Sequence, residues 1–223
     1  MEALLDRFGD LAVLMMAGAF VGIIFGMAAQ HSRFCLRGAT VELAQMQFGP
    51  RMVTWLIAFG AAVVSVQTAI VLEFLDVTEA RQLSGIGSLS GAIIGGLMFG
   101  VGMILARGCA SRLLILSATG NLRALVTGLV LTLVAQASLR GVFAPAREYL
   151  AQLWMVDGGA SRSLLSQFGL SSTFVAVIAS FALFAAIMMG VRLEVSKSRI
   201  AASGFVGLAV GLDFDIRNLA GLI

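Results

Sequence analysis

The stretch GAIIGGLMFGVGMILARGCASR, residues 91–112, joins a long apolar run to a short polar motif. The uncharged run extends from Gln82 to Ala106, and about 20 apolar residues suffice for a helix to cross the hydrocarbon layer of a bilayer. The run is continuous and rich in glycine, whereas a membrane barrel strand of about 10 residues alternates apolar and polar positions. The stretch therefore predicts a membrane-spanning helix, interrupted by Arg107–Arg112.

The composition of the whole chain is equally apolar. Of 223 residues, 59% are hydrophobic and 12% charged, against about 45–50% and about 25% in ordinary soluble domains. Further uncharged runs occur at Leu11–Gln30, Met52–Leu72 and Ser163–Val191, with shorter ones at Ala124–Leu139 and Ile200–Leu212. We predict an all-α, polytopic membrane helical bundle in which residues 1–223 form a single integral membrane domain.

The sequence repeats itself at an offset of 74 residues. The matched pairs are Gly22 and Gly96, Gly26 and Gly100, Arg33 and Arg107, and Cys35 and Cys109. A fixed offset of this kind indicates repeated structural units. We expect repeat 1 at about 11–75, repeat 2 at about 85–141, a connector at about 142–162, and further spans at about 163–192 and 200–212. Within the connector, Phe143–Trp154 is expected to lie along the membrane interface.

Polar interruptions follow the first span of each repeat, at residues 31–38 and 107–112. Irregular backbone at membrane depth is tolerated only where protein buries it or water reaches it. Transporters use broken helices at corresponding positions of internal repeats as substrate sites. We therefore expect short broken or re-entrant helices, Leu36–Phe48 and Ala110–Ala118, that carry the cysteine loops.

The two cysteines of the chain, Cys35 and Cys109, each lie two residues after an arginine and just before a predicted short helix. At such a position the helix dipole, the backbone N–H groups and the arginine all favour negative charge. The pattern favours a pair of anion-attracting sulfur sites. Two alternatives remain open: both cysteines are small buried hydrophobes, or they form a disulfide if their Cα atoms come within about 6 Å.

Four arginines flank these cysteines: Arg33, Arg37, Arg107 and Arg112. A charge inside a membrane is costly and by default marks a pathway, although a long side chain can also snorkel to the interface. Glu42 is a candidate counter-ion for Arg37, whereas Arg123 and Arg140 are interpreted as interfacial anchors. The basic loop of Arg192, Lys197 and Arg199 is expected to face the cytoplasm.

The sequence lacks the residues and motifs that several functional classes require. His31 is the single histidine, which excludes a bis-histidine haem and leaves no histidine and carboxylate cluster for a metal. Walker, Gly-x-Ser-x-Gly and His-Glu-x-x-His motifs are absent, so we expect no enzyme, no cofactor and no metal. The basic residues are scattered rather than gathered in a tract, so nucleic acid is not an expected partner.

At Ser32–Ala39 and Gly100–Arg112 the sequence resembles the YeeE/YedE-like sulphur-transport family of bacterial inner-membrane proteins, and Gly120–Leu125 also fits. The likeness runs along essentially the whole chain. It implies a multi-pass protein of the bacterial inner membrane that takes up thiosulfate, or a related sulfur or selenium species, through a channel-like path. By this resemblance Cys35 and Cys109 take the positions of the family's pathway cysteines.

One feature of the family pattern is missing. Members usually continue into a further repeat with a Gly-Gly-Cys-type motif and a third cysteine, whereas Asp213–Ile223 resembles the linker before that repeat. We expect either a fragment or a half-size subunit that needs a companion membrane chain. The leading hypothesis is a permease for a small sulfur-containing anion, with a cytoplasmic sulfur-carrier protein as a further candidate partner. The alternative is a membrane-embedded thiol redox or sulfane-sulfur relay protein.

Overall fold

The computed structural model describes residues 10–72, 86–156 and 171–219. These ranges contain nine helices and two short strands. In chain order they are α1 (Asp10–Ser32), α2 (Leu36–Ala44), α3 (Pro50–Val71), β1 (Gly87–Ser88), α4 (Leu89–Leu105), α5 (Ala110–Ala118), α6 (Leu122–Arg140), α7 (Ala144–Gln152), β2 (Met155–Val156), α8 (Ser172–Arg192) and α9 (Lys197–Leu219).

Five segments of the described chain are long and apolar enough to cross a membrane: Met15–Ala44, Pro50–Val71, Leu89–Ala118, Leu122–Arg140 and Ser172–Arg192. The prediction of an all-α polytopic membrane bundle is confirmed. The short run Ala124–Leu139 belongs to a span-length helix, α6, while Ile200–Leu212 lies within α9, which is not among the five. Some of the predicted segments extend beyond the described residues. These parts are 73–75 and 85 of the two repeats, 157–170 of the connector and the following span, and 220–223 of the linker.

The contacts divide the chain into two compact units. The first contains the described residues 10–72 and 171–219, with α3 at its centre in contact with α2, α8 and α9. Its buried core is formed by Val53, Ile57 and Ala186. Because lipid chains are as apolar as these side chains, close packing holds the helices together more than the hydrophobic effect does.

Two glycines of α9 allow that close packing. A Cβ atom at Gly207 would collide with the Ala58 carbonyl oxygen and lie 2.7 Å from the Ala61 Cβ. A Cβ atom at Gly211 would collide with the hydroxyl of Ser65. The backbones of α3 and α9 therefore approach along a line of small residues, as is common between membrane helices.

The second unit contains the described residues 86–156. In it α5 packs on α6, and α7 contacts both α4 and α6. Strands β1 and β2 pair antiparallel, with Gly87 opposite Val156 and Ser88 opposite Met155. The expected connector therefore contains an ordered helix, α7, that is joined to the start of α4. The repeat boundaries and the single membrane domain stay predictions.

Candidate functional site

The first cysteine loop begins where α1 ends. Arg33 adopts a left-handed conformation with φ 55°, and the Phe34 N–H donates to the Ala29 carbonyl at 3.1 Å. This is the hydrogen bond of a Schellman turn, in which the left-handed residue is usually glycine. An arginine at this position costs about 1 kcal/mol relative to a relaxed backbone. Cys35 then takes the N-cap position of α2 in an extended conformation.

The second cysteine loop has the same order of backbone conformations. Arg107 is left-handed with φ 56°, its N–H donates to the Ile104 carbonyl at 3.2 Å, and Cys109 is the extended N-cap of α5. Helices α2 and α5 each have nine residues and begin 74 positions apart, at 36 and 110. The two loops therefore present arginine and cysteine at equivalent backbone positions.

The far ends of both short helices are also closed alike. Met46 and Gly120, again 74 positions apart, have φ values of 55° and 89°. The Gln47 N–H donates to the Glu42 carbonyl at 2.9 Å, and the Asn121 N–H donates to the Leu116 carbonyl at 3.0 Å. Each short helix is thus bounded by two left-handed residues. The chain turns sharply before and after it, as expected for the broken helices predicted from the sequence.

The first turns of α2 and α5 lack a side-chain cap. Neither Cys35 nor Cys109 caps the N–H groups of its helix. Three longer helices are capped in the usual way: Ser88 accepts from the Gly91 N–H at 2.8 Å, Asn121 from the Ala124 N–H at 3.1 Å, and Ser171 from the Phe174 N–H at 3.2 Å. The first N–H groups of a helix need an acceptor. An anion at the start of α2 or α5 would provide one.

The two cysteines differ in their surroundings. Cys109 is 3% exposed, and its Sγ lies 3.3 Å from the Ser111 Oγ. Cys35 is partly buried. Both are thiols rather than members of a disulfide. Cys109 therefore has a polar contact of its own, which a cysteine acting merely as a small hydrophobe would not need.

Arg37 lies two residues after Cys35, in the first turn of α2. Its side chain is partly buried, and its Nε is buried without a hydrogen-bond partner among the described residues. A buried donor left unpaired costs about 1–3 kcal/mol, and more when it carries charge. Such exceptions call for an explanation. An anion held at the N-terminus of α2 would supply the missing acceptor.

The predicted ion pair between Glu42 and Arg37 was wrong. The Glu42 carboxylate instead accepts hydrogen bonds from the Met52 N–H at 2.8 Å and the Arg51 N–H at 3.4 Å, and so caps α3. Gly49 makes room for it, since a Cβ there would lie 2.5–2.7 Å from the carboxyl atoms. Helix geometry explains the difference, because Glu42 is near the end of α2 whereas Arg37 is in its first turn.

The second unit holds a cavity of about 360 Å³ beside its cysteine loop. Two arginines, Arg107 and Arg123, are among its lining residues, and so is Leu113, whose N–H donates to the Cys109 carbonyl at 3.0 Å. Cys109 and Arg112 do not line this cavity. An anion of small size would meet two positive side chains here, one turn of helix from the cysteine.

Arg123 has a position that the sequence did not predict. It lines the same cavity as Arg107, while its role as an interfacial anchor stays a prediction. A signal was available, because Arg123 follows the N-cap Asn121 by two residues, just as Arg37 follows Cys35. The remaining candidates are neighbours of their cysteines in sequence: Arg33 is exposed in the first loop, and Arg112 is partly buried in the first turn of α5.

Comparison with known proteins identifies the family. The model of the Sulphur transport family matches residues 31–209, which include both cysteine loops. The chain belongs to the Sulphur transport family. With five span-length helices, it is a multi-pass membrane protein of that family.

Two relatives carry the name thiosulfate transporter TsuA. The protein from Spirochaeta thermophila is 27% identical over 222 residues, covering 93% of this chain and 65% of that protein. The protein from Escherichia coli strain K12 is 30% identical over 98 residues, covering 44% of this chain and 26% of that protein. The chain thus matches 65% of the length of the first relative and about a quarter of the second.

Replacing Glu42 by alanine is expected to lower the stability of the protein by about 1 kcal/mol, the usual cost of losing a helix cap. For a chain of this size this corresponds to a drop of about 2–4 °C in Tm, measured by thermal unfolding in detergent. Glu42→Gln, which keeps an acceptor oxygen, should lose less. Arg37→Gln, which removes the buried and unpaired Nε, should instead raise stability by about 1 kcal/mol. Equal losses for Glu42 and Arg37 variants, with a non-additive double variant, would instead show an ion pair.

Proposed function

We propose that this protein is a permease that carries a small sulfur-containing anion, thiosulfate, across the bacterial inner membrane. The observation that supports this most strongly is the pair of nine-residue helices that begin with cysteine and lack a side-chain cap. The names of the two relatives supply the substrate. The residues proposed to contact the passing anion are Cys35, Cys109, Arg33, Arg37, Arg107 and Arg112.

The electrostatics of each loop favour a divalent anion. The N-terminus of a helix carries the positive end of its dipole, equivalent to about half an elementary charge. The first-turn N–H groups of α2 and α5 add directed donors. The first turn of each helix also contains an arginine, Arg37 in α2 and Arg112 in α5. Attraction at two such places lets the anion leave bulk water without being held too tightly to move on.

The sulfur atoms supply a contact that the alternative capping residues do not. A neutral thiol is a weak donor and a soft, polarizable surface, which suits the sulfur of thiosulfate. The side-chain oxygen of a serine or asparagine at the same N-cap would itself accept a hydrogen bond from a first-turn N–H group. Cysteine leaves these groups to the substrate. No covalent step is required, so the cysteines contact the passing anion without reacting with it.

Arg123 extends the proposed path in the second unit. Together with Arg107 it lines a cavity of about 360 Å³ that also contains apolar side chains. Two guanidinium groups of the same charge in one cavity raise the local concentration of an anion. A companion membrane chain and a cytoplasmic sulfur-carrier protein stay predictions, as does the assignment to the inner membrane.

Replacing either cysteine by alanine is expected to reduce thiosulfate uptake. We expect the initial rate of radiolabelled thiosulfate entry into cells that lack other uptake systems to fall by about tenfold or more, which corresponds to about 1.4 kcal/mol. Cys109→Ala and Cys35→Ala should be compared at equal amounts of protein in the membrane. Normal uptake by both variants would refute the role of the cysteines.

The same cells distinguish transport from a sulfur relay. A relay that uses the thiols as chemical carriers requires persulfides or a disulfide at Cys35 and Cys109 during turnover. Mass spectrometry of protein trapped during uptake is expected to find both as unmodified thiols. A persulfide that accumulates with thiosulfate would overturn the permease and support the relay.

Replacing Arg123 by glutamine is expected to raise the KM for thiosulfate uptake by about fivefold, since Arg123 is exposed and a unit positive charge about 4 Å from a unit negative charge contributes about 1 kcal/mol in a water-like dielectric. The matched control is Arg140→Gln, which removes an exposed arginine from the other end of the same helix α6, outside the cavity. Equal effects of the two changes would show that Arg123 acts only through the general surface charge.

A further inference from the structure

A second cavity of the second unit lies between α4, α6 and α7 and has a volume of about 640 Å³. Its walls are apolar, with Met98, Val134, Phe143 and Leu150 among the lining side chains. Gly95 forms part of one wall, and a Cβ there would meet nothing within 4 Å. The volume falls within the range of about 300–1,000 Å³ that is typical of small-molecule sites. We call this cavity the α7 groove.

The α7 groove contains a single charged side chain, Arg147. This arginine pairs at 3.2 Å with the neighbouring Glu148, and both side chains are about half exposed. An exposed ion pair between adjacent residues contributes at most about 1 kcal/mol, and often less. Arg147 can therefore bind an anion that reaches the groove, because giving up its ion pair with Glu148 costs little free energy.

The residues around α7 indicate the depth of the groove in the bilayer. Tyr149, the one tyrosine of the sequence, is 67% exposed, and Trp154 is 57% exposed. Tyrosine and tryptophan are enriched where the hydrocarbon layer meets the headgroups. Arg147 lies two residues before Tyr149 in the same helix, so we place its guanidinium at headgroup level. The apolar part of the groove, formed with the span-length helices α4 and α6, extends toward the hydrocarbon side.

The groove is held open by the hydrogen bonds of α7. The hydroxyls of Ser88 and Ser90 donate to the carbonyls of Ala151 and Leu150 at 2.5 and 2.8 Å, and so tie the end of α7 to the start of α4. At the other end of α7, the Phe143 N–H donates to the Ala137 carbonyl of α6 at 3.1 Å. Because α7 is fixed at both ends, the groove is formed before a ligand binds, which lowers the entropy cost of binding.

We propose that the α7 groove binds one acyl chain of an anionic phospholipid, with the Arg147 guanidinium on its phosphate. The apolar walls suit a hydrocarbon chain, and the single arginine suits the negative charge of a phosphate. The interfacial aromatic residues place the arginine at the depth of the phosphates and the apolar walls at the depth of the acyl chains. Basic side chains in pockets between membrane helices recognise anionic headgroups in this way. The site is separate from the cavity lined by Arg107 and Arg123, with which it shares no residue.

The test compares lipids that differ only in the headgroup. Full-length protein purified in detergent is incubated with phosphatidylglycerol or phosphatidylcholine of identical acyl chains, and retained lipid is counted by native mass spectrometry. Phosphatidylglycerol is expected to be retained about fivefold better, the contribution of one basic side chain beside an anionic headgroup. Arg147→Gln should abolish this preference, whereas Arg140→Gln, outside the groove, should keep it. Inorganic phosphate should not compete.

A second pair of variants tests the acyl-chain pocket. Gly95→Leu places a side chain in the groove and should reduce retention of both lipids, whereas Gly102→Leu, on the same helix outside the groove, should not. Equal retention of the two lipids by the wild type, or loss of the preference with Arg140→Gln, would overturn the proposal. So would a protein dimer that Gly95→Leu dissociates, because it would assign the groove to a second copy. Competition by inorganic phosphate alone would also overturn it.

Discussion

A helix that ends within a membrane protein leaves backbone N–H and C=O groups that lipid cannot satisfy. This constraint governs both cysteine loops. The carbonyl ends of the helices before and within each loop are closed by hydrogen bonds around left-handed residues, which include Arg33 and Gly120. The amino ends of the short helices α2 and α5, like that of α7, lack a side-chain cap from the N-cap residue. They begin with cysteine, which does not cap them.

This difference has an energetic cost that points to a function. Capping residues are available to the chain, since α4, α6 and α8 all use serine or asparagine. Left-handed arginines at Arg33 and Arg107 and the unpaired Nε of Arg37 each make the folded state less stable than it needs to be. Features of this kind concentrate where a protein gives up stability for binding. An anion at the start of α2 would supply an acceptor for the Arg37 Nε and the first-turn N–H groups, and one at the start of α5 would do so for its first-turn N–H groups.

The sequence predicted much of this arrangement. Continuous uncharged runs predicted the membrane helices, and Ala110–Ala118 was predicted with the bounds that the structure gives it. The first short helix ends at Ala44 rather than Phe48, because Met46 turns left-handed, which its residue type does not predict. The cap contact of Glu42 and the cavity position of Arg123 were not predicted, since cap contacts and cavity walls depend on how neighbouring helices pack. Sequence periodicity does not encode that packing.

The central claim, that the uncapped first turns hold the anion, is tested most directly by giving one of them a cap. Cys109→Asn introduces a strong and uncharged capping residue, and thiosulfate binding to purified protein is measured by equilibrium dialysis alongside thermal unfolding. We predict that the variant gains about 1 kcal/mol of stability while its Kd for thiosulfate rises by about tenfold, or about 1.4 kcal/mol. A stabilised variant that binds thiosulfate as tightly as the wild type would contradict the account.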